Sequence, residues 1–242
     1  TALFRAEQRP VAFLQFADFI PLAFNQIISE LGSMYWRTNG AWQCPVVLMI
    51  SCGGYKPGLG PFHAQTLESI LAHTPGIDVV MPSSAGDAAG MLNAAFASPR
   101  PTIMLYPKSA LNLSDRRTSN DTAAHFVPPG RSRTLLIGSD LTLVTYGNPI
   151  AQSLLAAETL AEVGTMVELI DLRSISPWDE EAVLRSARRT RRLLVVHEDN
   201  RTAGFGGEVL ATVMEKAGVP VEARRVTRDD GYVPFHFEAQ LA

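Results

Sequence analysis

The chain contains the apolar run Val46-Val47-Leu48-Met49-Ile50 and, shortly after it, the stretch Gly53-Gly54-Tyr55-Lys56-Pro57-Gly58-Leu59-Gly60-Pro61-Phe62-His63-Ala64-Gln65. A continuous apolar run of this length is typical of a parallel strand that is buried on both faces. The glycines that follow allow the backbone to turn sharply and to approach a bound group closely. This pattern predicts a strand, a glycine-rich loop and a helix over residues 64–73.

His63 is the first candidate functional residue, because the loop would place it in the first turn of that helix. Backbone N–H groups at a helix N-terminus favour anions, and an imidazole titrates near neutral pH. In α/β enzymes the carboxyl edge of a parallel sheet is the usual place for a catalytic group. A histidine that only satisfies nearby backbone groups fits the same pattern, and the loop by itself favours that second interpretation.

Composition excludes several classes of protein. The chain has 242 residues, of which 46% are hydrophobic and 19% charged, and its net charge of -3 gives no general attraction to nucleic acid or membranes. Its two cysteines, Cys44 and Cys52, cannot form a disulfide framework, which favours a reducing compartment. No apolar run reaches the length of a transmembrane helix.

Apolar runs alternate with helical patterns in two sets, which predicts an α/β fold with mostly parallel sheets covered by helices on both faces. We expect a first domain over residues 1–107, a linker over 108–139 that is polar and rich in proline and glycine, and a second domain over 140–242. The predicted strands are 10–16, 46–50, 77–81, 101–106, 141–146, 166–171, 193–197 and 221–226. The predicted helices are 19–36, 64–73, 86–96, 150–163, 180–189 and 207–217.

Three further features each allow two interpretations. Gly204-Phe205-Gly206-Gly207 could be a dinucleotide loop, but it lacks the third glycine of that motif, and a tight strand-to-helix turn is favoured. The arginine-rich residues 185–192 could bind an anion or nucleic acid, but a solvated helix C-terminus is favoured. His197-Glu198 could be an acid/base pair, but a buried histidine hydrogen-bonded to its neighbours is favoured.

An ordered set of motifs covers nearly the whole chain and resembles the β subunit, or β-like half, of the thiamine-diphosphate-dependent E1 component of 2-oxo acid dehydrogenase complexes. The motif Leu172-Arg173-Ser174-Ile175-Ser176-Pro177-Trp178-Asp179 leans toward the branched-chain type. The others are Gln15-Phe16-Ala17-Asp18-Phe19, Phe62-His63-Ala64-Gln65, Ala72-His73-Thr74-Pro75-Gly76, Tyr106-Pro107-Lys108, Val144-Thr145-Tyr146-Gly147, His197-Glu198 and Gly204-Phe205-Gly206.

The resemblance implies a pyrimidine-binding domain whose N-terminal part is missing, followed by a transketolase C-terminal-like domain. It places Phe19 at the position of the aromatic residue that stacks on the aminopyrimidine ring of thiamine diphosphate, with Gln15 as a second cofactor-binding residue. His63 matches the histidine that assists the acyl intermediate and its transfer to a lipoyl group. With the family considered, function becomes the favoured interpretation of His63.

The chain departs from the family pattern in its first residues. It opens with Thr1 in the middle of a pattern, and we expect the glutamate that activates the cofactor to lie in an upstream segment. Family members bind the diphosphate and Mg²⁺ through an α subunit or α-like half, and no matching motif is present here. We predict no metal ligands in this chain, including at the turn Ser98-Pro99-Arg100, because Arg100 brings its own positive charge.

The expected function is therefore that of part of an E1 component, which decarboxylates a 2-oxo acid and acylates the lipoyl group of E2. The expected partners are the α subunit or α-like half, a second copy of the chain and lipoyl-bearing E2, with no nucleic acid or membrane. The chain alone is expected to be inactive. The alternatives are a transketolase-like or 1-deoxyxylulose-5-phosphate synthase-like enzyme and a non-catalytic module for dimerisation and E2 docking. The expected location is the bacterial cytoplasm, with the mitochondrial matrix as the alternative.

Overall fold

The computed structural model describes residues 8–54, 57–111 and 118–241, which form two five-stranded sheets. The first sheet has the order β1-β2-β4-β3-β8, and its first four strands are parallel. They are β1 (Val11–Leu14), β2 (Val47–Cys52), β3 (Asp78–Val80) and β4 (Thr102–Pro107), with β8 (Ser174–Ser176) antiparallel at the edge.

The second sheet has the order β10-β9-β6-β7-β5 and is also parallel except at one edge. Its strands are β5 (Arg133–Leu136), β6 (Leu141–Thr145), β7 (Val167–Asp171), β9 (Arg192–Asn200) and β10 (Glu222–Arg228). The two sheets and their domain folds confirm the predicted α/β class.

Seven α-helices occur in the described residues: α1 (Met34–Arg37), α2 (Glu68–Ala72), α3 (Ala85–Ala97), α4 (Ile150–Glu162), α5 (Glu180–Thr190), α6 (Phe205–Lys216) and α7 (Phe237–Leu241). None of these described helices is both long and apolar enough to span a bilayer. Four of them, α3 to α6, match predicted helices to within a few residues.

The prediction of one regular helix over residues 19–36 is wrong. The segment is a 3₁₀-helix (Ala17–Ala23), a π-helix (Asn25–Gly32) and the short α1. Pro21 lies inside the 3₁₀-helix and has no backbone N–H to donate. The regular hydrogen-bond ladder of an α-helix is therefore interrupted near its start.

The helix predicted over residues 64–73 begins only at Glu68, so the placement of His63 in its first turn is wrong. Leu67 precedes the helix with φ of 55°, in the left-handed region, which separates α2 from the residues before it. His63 instead caps the C-terminal end of a 3₁₀ turn (Gly60–Phe62), with φ of -145° and ψ of 12°.

Two short strands tie the domains together. Residues of the predicted linker form β5, which pairs with β7 at the edge of the second sheet, and β8 leaves the second domain to pair with β3 in the first. One apolar cluster runs through both sheets and includes Ile50, Leu105, Tyr146, Val195 and Phe205. The division at residues 107 and 140 remains a prediction.

A set of buried polar contacts crosses the domain boundary beside this cluster. Arg173 donates to the Asp87 carboxylate at 3.0 Å, and the Ser83 hydroxyl donates to Asp171. Burial raises the pKa of Asp171 to about 6, although the bond from Ser83 opposes that rise. On the other side of the boundary, the Tyr146 hydroxyl donates to Glu68 Oε1 at 2.7 Å.

His197 lies behind Tyr146, 2% exposed, with its ring stacked on the tyrosine ring at a centroid distance of 6.3 Å. A Cβ at Gly204 or Gly206 would lie 2.5 Å or 2.6 Å from this imidazole, so glycine at both positions makes room for it. Gly204 caps α6, which confirms the tight strand-to-helix turn. The expected hydrogen bonds to His197 are wrong, since neither ring nitrogen has a hydrogen-bond partner among the described residues; the Glu68 carboxylate lies 4.0 Å from Nδ1.

The burial of His197 predicts a specific pH dependence. Burial lowers the pKa of His197 from 6.5 to about 4, so between these values the unfolded chain binds a proton that the folded chain does not. This contribution to stability is present above pH 6.5 and is lost as the pH falls toward 4. The free energy of unfolding should fall by about 2 kcal/mol more between pH 7 and pH 5 in the wild type than in His197→Asn.

Urea unfolding at both pH values measures this difference. His73→Asn is the matched control, because His73 is exposed, and it should keep the wild-type pH dependence. Equal pH dependence in the wild type and His197→Asn would contradict the assignment.

Candidate active site

The candidate site lies at the carboxyl edge of three neighbouring strands of the first sheet, β1, β2 and β4. Because these strands are adjacent and parallel, the segments that leave them emerge at the same edge. Gln15 to Phe19 follow β1, the loop that ends at His63 follows β2, and Lys108 follows β4. Sheet geometry therefore brings together residues that are far apart in the sequence.

Three aromatic rings form the centre of the site. The centroid of the His63 ring lies 4.7 Å from that of Phe16 and 5.8 Å from that of Phe19, both in edge-to-face geometry. Phe16 and Phe19 are themselves 5.8 Å apart at an angle of 77°. All three side chains are half-buried. The structure thus brings together His63 and Phe19, two of the three residues that the sequence proposes for the site.

Gln15, the third residue, is placed differently. Its side chain is exposed, and the contact that fixes it is made by its backbone carbonyl, which accepts a hydrogen bond from the Ser51 hydroxyl. This bond ties the segment after β1 to β2. A role for the Gln15 side chain in cofactor binding remains a prediction.

Lys108 and Asp18 add charges beside the rings. Lys108 is 5% exposed, and its Nζ lies 5.2 Å from the centroid of the Phe16 ring, within the range of a cation–π contact. The Asp18 carboxylate accepts a hydrogen bond from the Gln65 backbone N–H at 3.3 Å. Burial raises the pKa of Asp18, while that hydrogen bond and the charge of Lys108 oppose the rise.

Sequence reasoning assigned no role to Lys108, although it was part of a quoted motif. The signal that could have identified it is its position as the first charged residue after the apolar strand β4. A cation at that point faces the same sheet edge as His63. Its burial against Phe16 depends on tertiary packing and is not visible in the sequence.

The loop that carries His63 is closed at its base by hydrogen bonds. The Gly53 N–H donates to the Gln65 carbonyl at 3.2 Å, which joins the two ends of the loop. Gly53 has φ of +82°, a conformation in which glycine is favoured. Farther along, Gly60 has φ of +56°, and a Cβ there would come within 2.2 Å of the Phe235 ring. Tyr55 and Lys56 lie outside the described residues.

The second domain holds the same loop base. Glu198 Oε1 accepts a hydrogen bond from the Gly54 N–H at 2.6 Å, and Glu198 Oε2 accepts one from Asn148 Nδ2 at 2.6 Å. Burial raises the pKa of Glu198, and these two hydrogen bonds oppose the rise. Arg228 of β10 donates to the Gln65 side chain at 2.8 Å. We call Glu198 and Asn148 the clamp.

His197 and Glu198 do not form an acid/base pair with each other. Side chains alternate along β9, so His197 packs against Tyr146 while Glu198 reaches Gly54 of the first domain. The favoured interpretation of His197 as buried is confirmed. The role of Glu198 was missed, because its partner lies 144 residues away.

The arginine-rich segment is structural, and the favoured interpretation as a helix C-terminus is confirmed. Arg188 and Arg189 lie in the last turn of α5, and Arg188 donates to the carbonyls of Lys216 and Ala217 at the end of α6. At the turn before β4, Arg100 donates to the Asp78 carboxylate at 2.8 Å. Among the described residues, no group of three or more His, Cys, Asp or Glu is arranged to hold a metal ion.

Comparison with known families agrees with this architecture. The family model "Transketolase, pyrimidine binding domain" matches residues 2–114, and "Transketolase, C-terminal domain" matches residues 130–242. A solved split-gene transketolase, described as an inactive β4 tetramer, superposes with a TM-score of 0.77 and 24% identity. That likeness covers 97% of this chain and 70% of the other, and it supports the fold alone.

Curated relatives narrow the class further. The β subunit of 2-oxoisovalerate dehydrogenase from Bacillus subtilis is 38% identical over 86% of this chain. The β subunit of 3-methyl-2-oxobutanoate dehydrogenase from Mycobacterium tuberculosis (strain ATCC 25618 / H37Rv) is 36% identical over 95% of it. The β subunit of the pyruvate dehydrogenase E1 component from Staphylococcus epidermidis is 34% identical over 94%.

The chain belongs to the family of E1 β subunits of 2-oxo acid dehydrogenases. It spans 62% of the length of the Bacillus relative, 66% of the Mycobacterium relative and 70% of the Staphylococcus relative. The resemblance drawn from the motifs is confirmed, including its leaning toward the branched-chain type.

The clamp generates a prediction about Gly53. A Cβ on Gly53 would lie 2.4 Å from Asn148 Nδ2, whereas a Cβ on Gly58, which has a similar φ of +78°, meets nothing within 4 Å. Both Gly→Ala changes should cost backbone strain, but only Gly53→Ala should also displace the clamp. We expect Gly53→Ala to lower the free energy of unfolding by about 1–3 kcal/mol more than Gly58→Ala. Chemical denaturation measures both, and equal losses would contradict the contact.

Proposed function

We propose that this chain forms part of an E1 enzyme that decarboxylates a 2-oxo acid on thiamine diphosphate and transfers the acyl group to the lipoyl group of E2. The observation that carries the proposal is the convergence of His63 and Phe19 at one sheet edge, in a chain of the E1 β family. Motif matching alone does not require these two side chains to meet. Their contact supports the assignment of both to one site.

The residues present fit the aminopyrimidine part of the cofactor. Phe16 and Phe19 are half-buried aromatic side chains at the site, which suits stacking on a flat heterocycle. When bound, thiamine diphosphate supplies the carbanion and the electron sink for decarboxylation. On the strength of the resemblance, we propose that the diphosphate and Mg²⁺ are held by the partner domain.

His63 is proposed to handle protons during acyl transfer. Its imidazole packs edge-to-face against both phenylalanine rings, and these contacts limit its rotation and keep it at the sheet edge. It is half-buried, so substrate can reach it. Imidazole is the side chain most often used to accept a proton and return it in acid–base catalysis.

The proposed substrate is a branched-chain 2-oxo acid, because the relatives from Bacillus subtilis, Dictyostelium discoideum and Arabidopsis thaliana are all named as β subunits of 2-oxoisovalerate dehydrogenase. The proposed partners are the E1 α subunit or α-like half, a second copy of this chain and lipoyl-bearing E2. The proposed location is the bacterial cytoplasm or the mitochondrial matrix. We further propose that the chain alone is inactive, since the diphosphate and Mg²⁺ are proposed to be held by the partner domain.

Substrate assays of the full-length protein, assembled with its partner, test the proposed reaction. We expect thiamine-diphosphate-dependent turnover of 2-oxoisovalerate, with weaker turnover of pyruvate. Turnover of xylulose 5-phosphate in place of either acid would support the transketolase-like alternative. A folded dimer that binds E2 without any turnover would support the assembly-module alternative.

The proposed role of His63 predicts a selective loss. His63→Ala in the assembled enzyme should lower the rate of lipoyl acylation by about 10²- to 10⁴-fold, the usual contribution of a positioned acid–base group. Thermal unfolding should change little, because the side chain is only half-buried. His73→Ala, at an exposed position, is the control. Near-wild-type acylation by His63→Ala would contradict the role.

The proposed role of Phe19 predicts an effect on cofactor affinity. Phe19→Ala should weaken thiamine diphosphate binding by about 1–3 kcal/mol, the range found for nucleic-acid bases that stack on aromatic side chains. Phe19→Tyr keeps the ring and should bind as the wild type does. Calorimetric titration of the assembled apoenzyme measures both variants. Unchanged affinity in Phe19→Ala would instead make Phe19 a packing residue.

A further inference from the structure

We propose that Glu198 is a positioning residue, which fixes the loop that carries His63 by holding its base from the second domain. This inference rests on the proposed function in one respect, the role of His63 in acyl transfer. The contacts that carry it are independent of that role. They comprise the two hydrogen bonds to the Glu198 carboxylate and the hydrogen bond that closes the loop.

The clamp acts where the loop leaves β2. The Gly54 N–H donates a hydrogen bond to Glu198 Oε1. The N–H of Gly53, one residue earlier, donates to the Gln65 carbonyl. Gln65 is only two residues beyond His63. A carboxylate that holds Gly54 therefore holds both ends of the loop, because the ends are bonded to each other.

Asn148 fixes the orientation of Glu198 and links it to the segment that follows β4. Its Nδ2 donates to Glu198 Oε2, and its Oδ1 accepts a hydrogen bond from the Ser109 hydroxyl. Ser109 is adjacent to Lys108, whose Nζ lies over the Phe16 ring. A chain of hydrogen bonds thus joins the segment after β4 to the loop after β2, through two side chains of the second domain.

The space around Gly53 shows that the clamp is packed tightly against the loop. A Cβ at Gly53 would lie 2.9 Å from Glu198 Oε2 and 2.4 Å from Asn148 Nδ2. The loop base therefore has little room to move while the clamp is formed. Since acyl transfer requires a histidine within reach of the reacting group, a small displacement of the loop should slow it.

A polarity exchange across the clamp tests the inference. In Glu198→Gln, the side-chain amide can still accept from Gly54, but its NH₂ group then faces the NH₂ group of Asn148 unless the Asn148 amide turns over and reverses its hydrogen bond with Ser109. In Asn148→Asp, two carboxylates face each other. The double variant Glu198→Gln/Asn148→Asp allows the glutamine to donate to the aspartate, while Ser109 and Gly54 keep their acceptors. It restores all three hydrogen bonds and retains one negative charge.

Two readouts are compared for the wild type, both single variants and the double variant, using the full-length protein assembled with its partner. The first is the rate of lipoyl acylation, which each single change should lower by about 10- to 100-fold. The double variant should recover to within about threefold of the wild type. Glu215→Gln, which removes a charge from an exposed position on α6, should match the wild type.

The second readout is the rate at which diethyl pyrocarbonate modifies His63, followed by mass spectrometry. It needs no turnover, so it tests the clamp even if the proposed function fails. Loosening of the loop in each single variant should raise this rate by about threefold or more, and the double variant should return it to the wild-type value. Exposed His73 serves as the internal reference.

The outcomes separate the two claims. If the wild type does not acylate lipoyl groups, the proposed function fails, and the modification rates still decide the role of Glu198. If both single variants acylate lipoyl groups at the wild-type rate and their His63 is modified at the wild-type rate, the positioning role is overturned. It is also overturned if the double variant fails to recover the wild-type rates. A loss of thermal stability with unchanged His63 reactivity would also overturn it, because that result describes a purely structural carboxylate.

Discussion

The hydrogen bond from the Gly54 N–H to the Glu198 carboxylate joins the two domains at the point where the candidate site begins. A carboxylate that is withdrawn from water needs hydrogen-bond donors, and here one donor comes from each domain, Gly54 and Asn148. The position of the loop that carries His63 is consequently determined jointly by both sheets. Neither domain by itself contains all the contacts that hold the loop.

The remaining polar contacts between the domains follow the same principle. Tyr146 of the second domain donates to Glu68 of the first, and Arg173 of the second donates to Asp87 of the first. Burial raises the pKa of Glu68, and the hydroxyl of Tyr146 opposes that rise by stabilising the carboxylate. These contacts surround an apolar cluster that is continuous between the sheets. The arrangement joins the two domains through buried polar and apolar contacts together.

The sequence predicted the eight parallel strands of the two sheets, because most of them are apolar runs with clear punctuation between them, but it missed the short antiparallel edge strands β5 and β8. The sequence did not predict where helices would depart from regular α-helical geometry. Pro21 and the left-handed Leu67 altered two helices whose apolar periodicity looked regular. The cofactor-stacking role of Phe19 was assigned only through the family resemblance, since an aromatic residue at that position is equally typical of a hydrophobic core.

Lys108, Asn148 and Glu198 show the limit of sequence reasoning most clearly. Each lies at or just beyond the carboxyl end of its own strand, yet their partners come from other elements. Glu198 and Gly54 are 144 residues apart, and only the packing of one domain on the other brings them within 2.6 Å. Strand alternation predicts that His197 and Glu198 point to opposite sides, but not what either side contains.

Amide hydrogen exchange at Gly53 and Gly54, resolved by residue in the assembled full-length protein, tests most directly whether the second domain holds the loop. If it does, both amides are protected, and they exchange at rates close to those of the β2 strand that precedes them. Exchange at the rate of an open surface loop would contradict the account, because the hydrogen bonds to Gln65 and Glu198 would then not persist in solution.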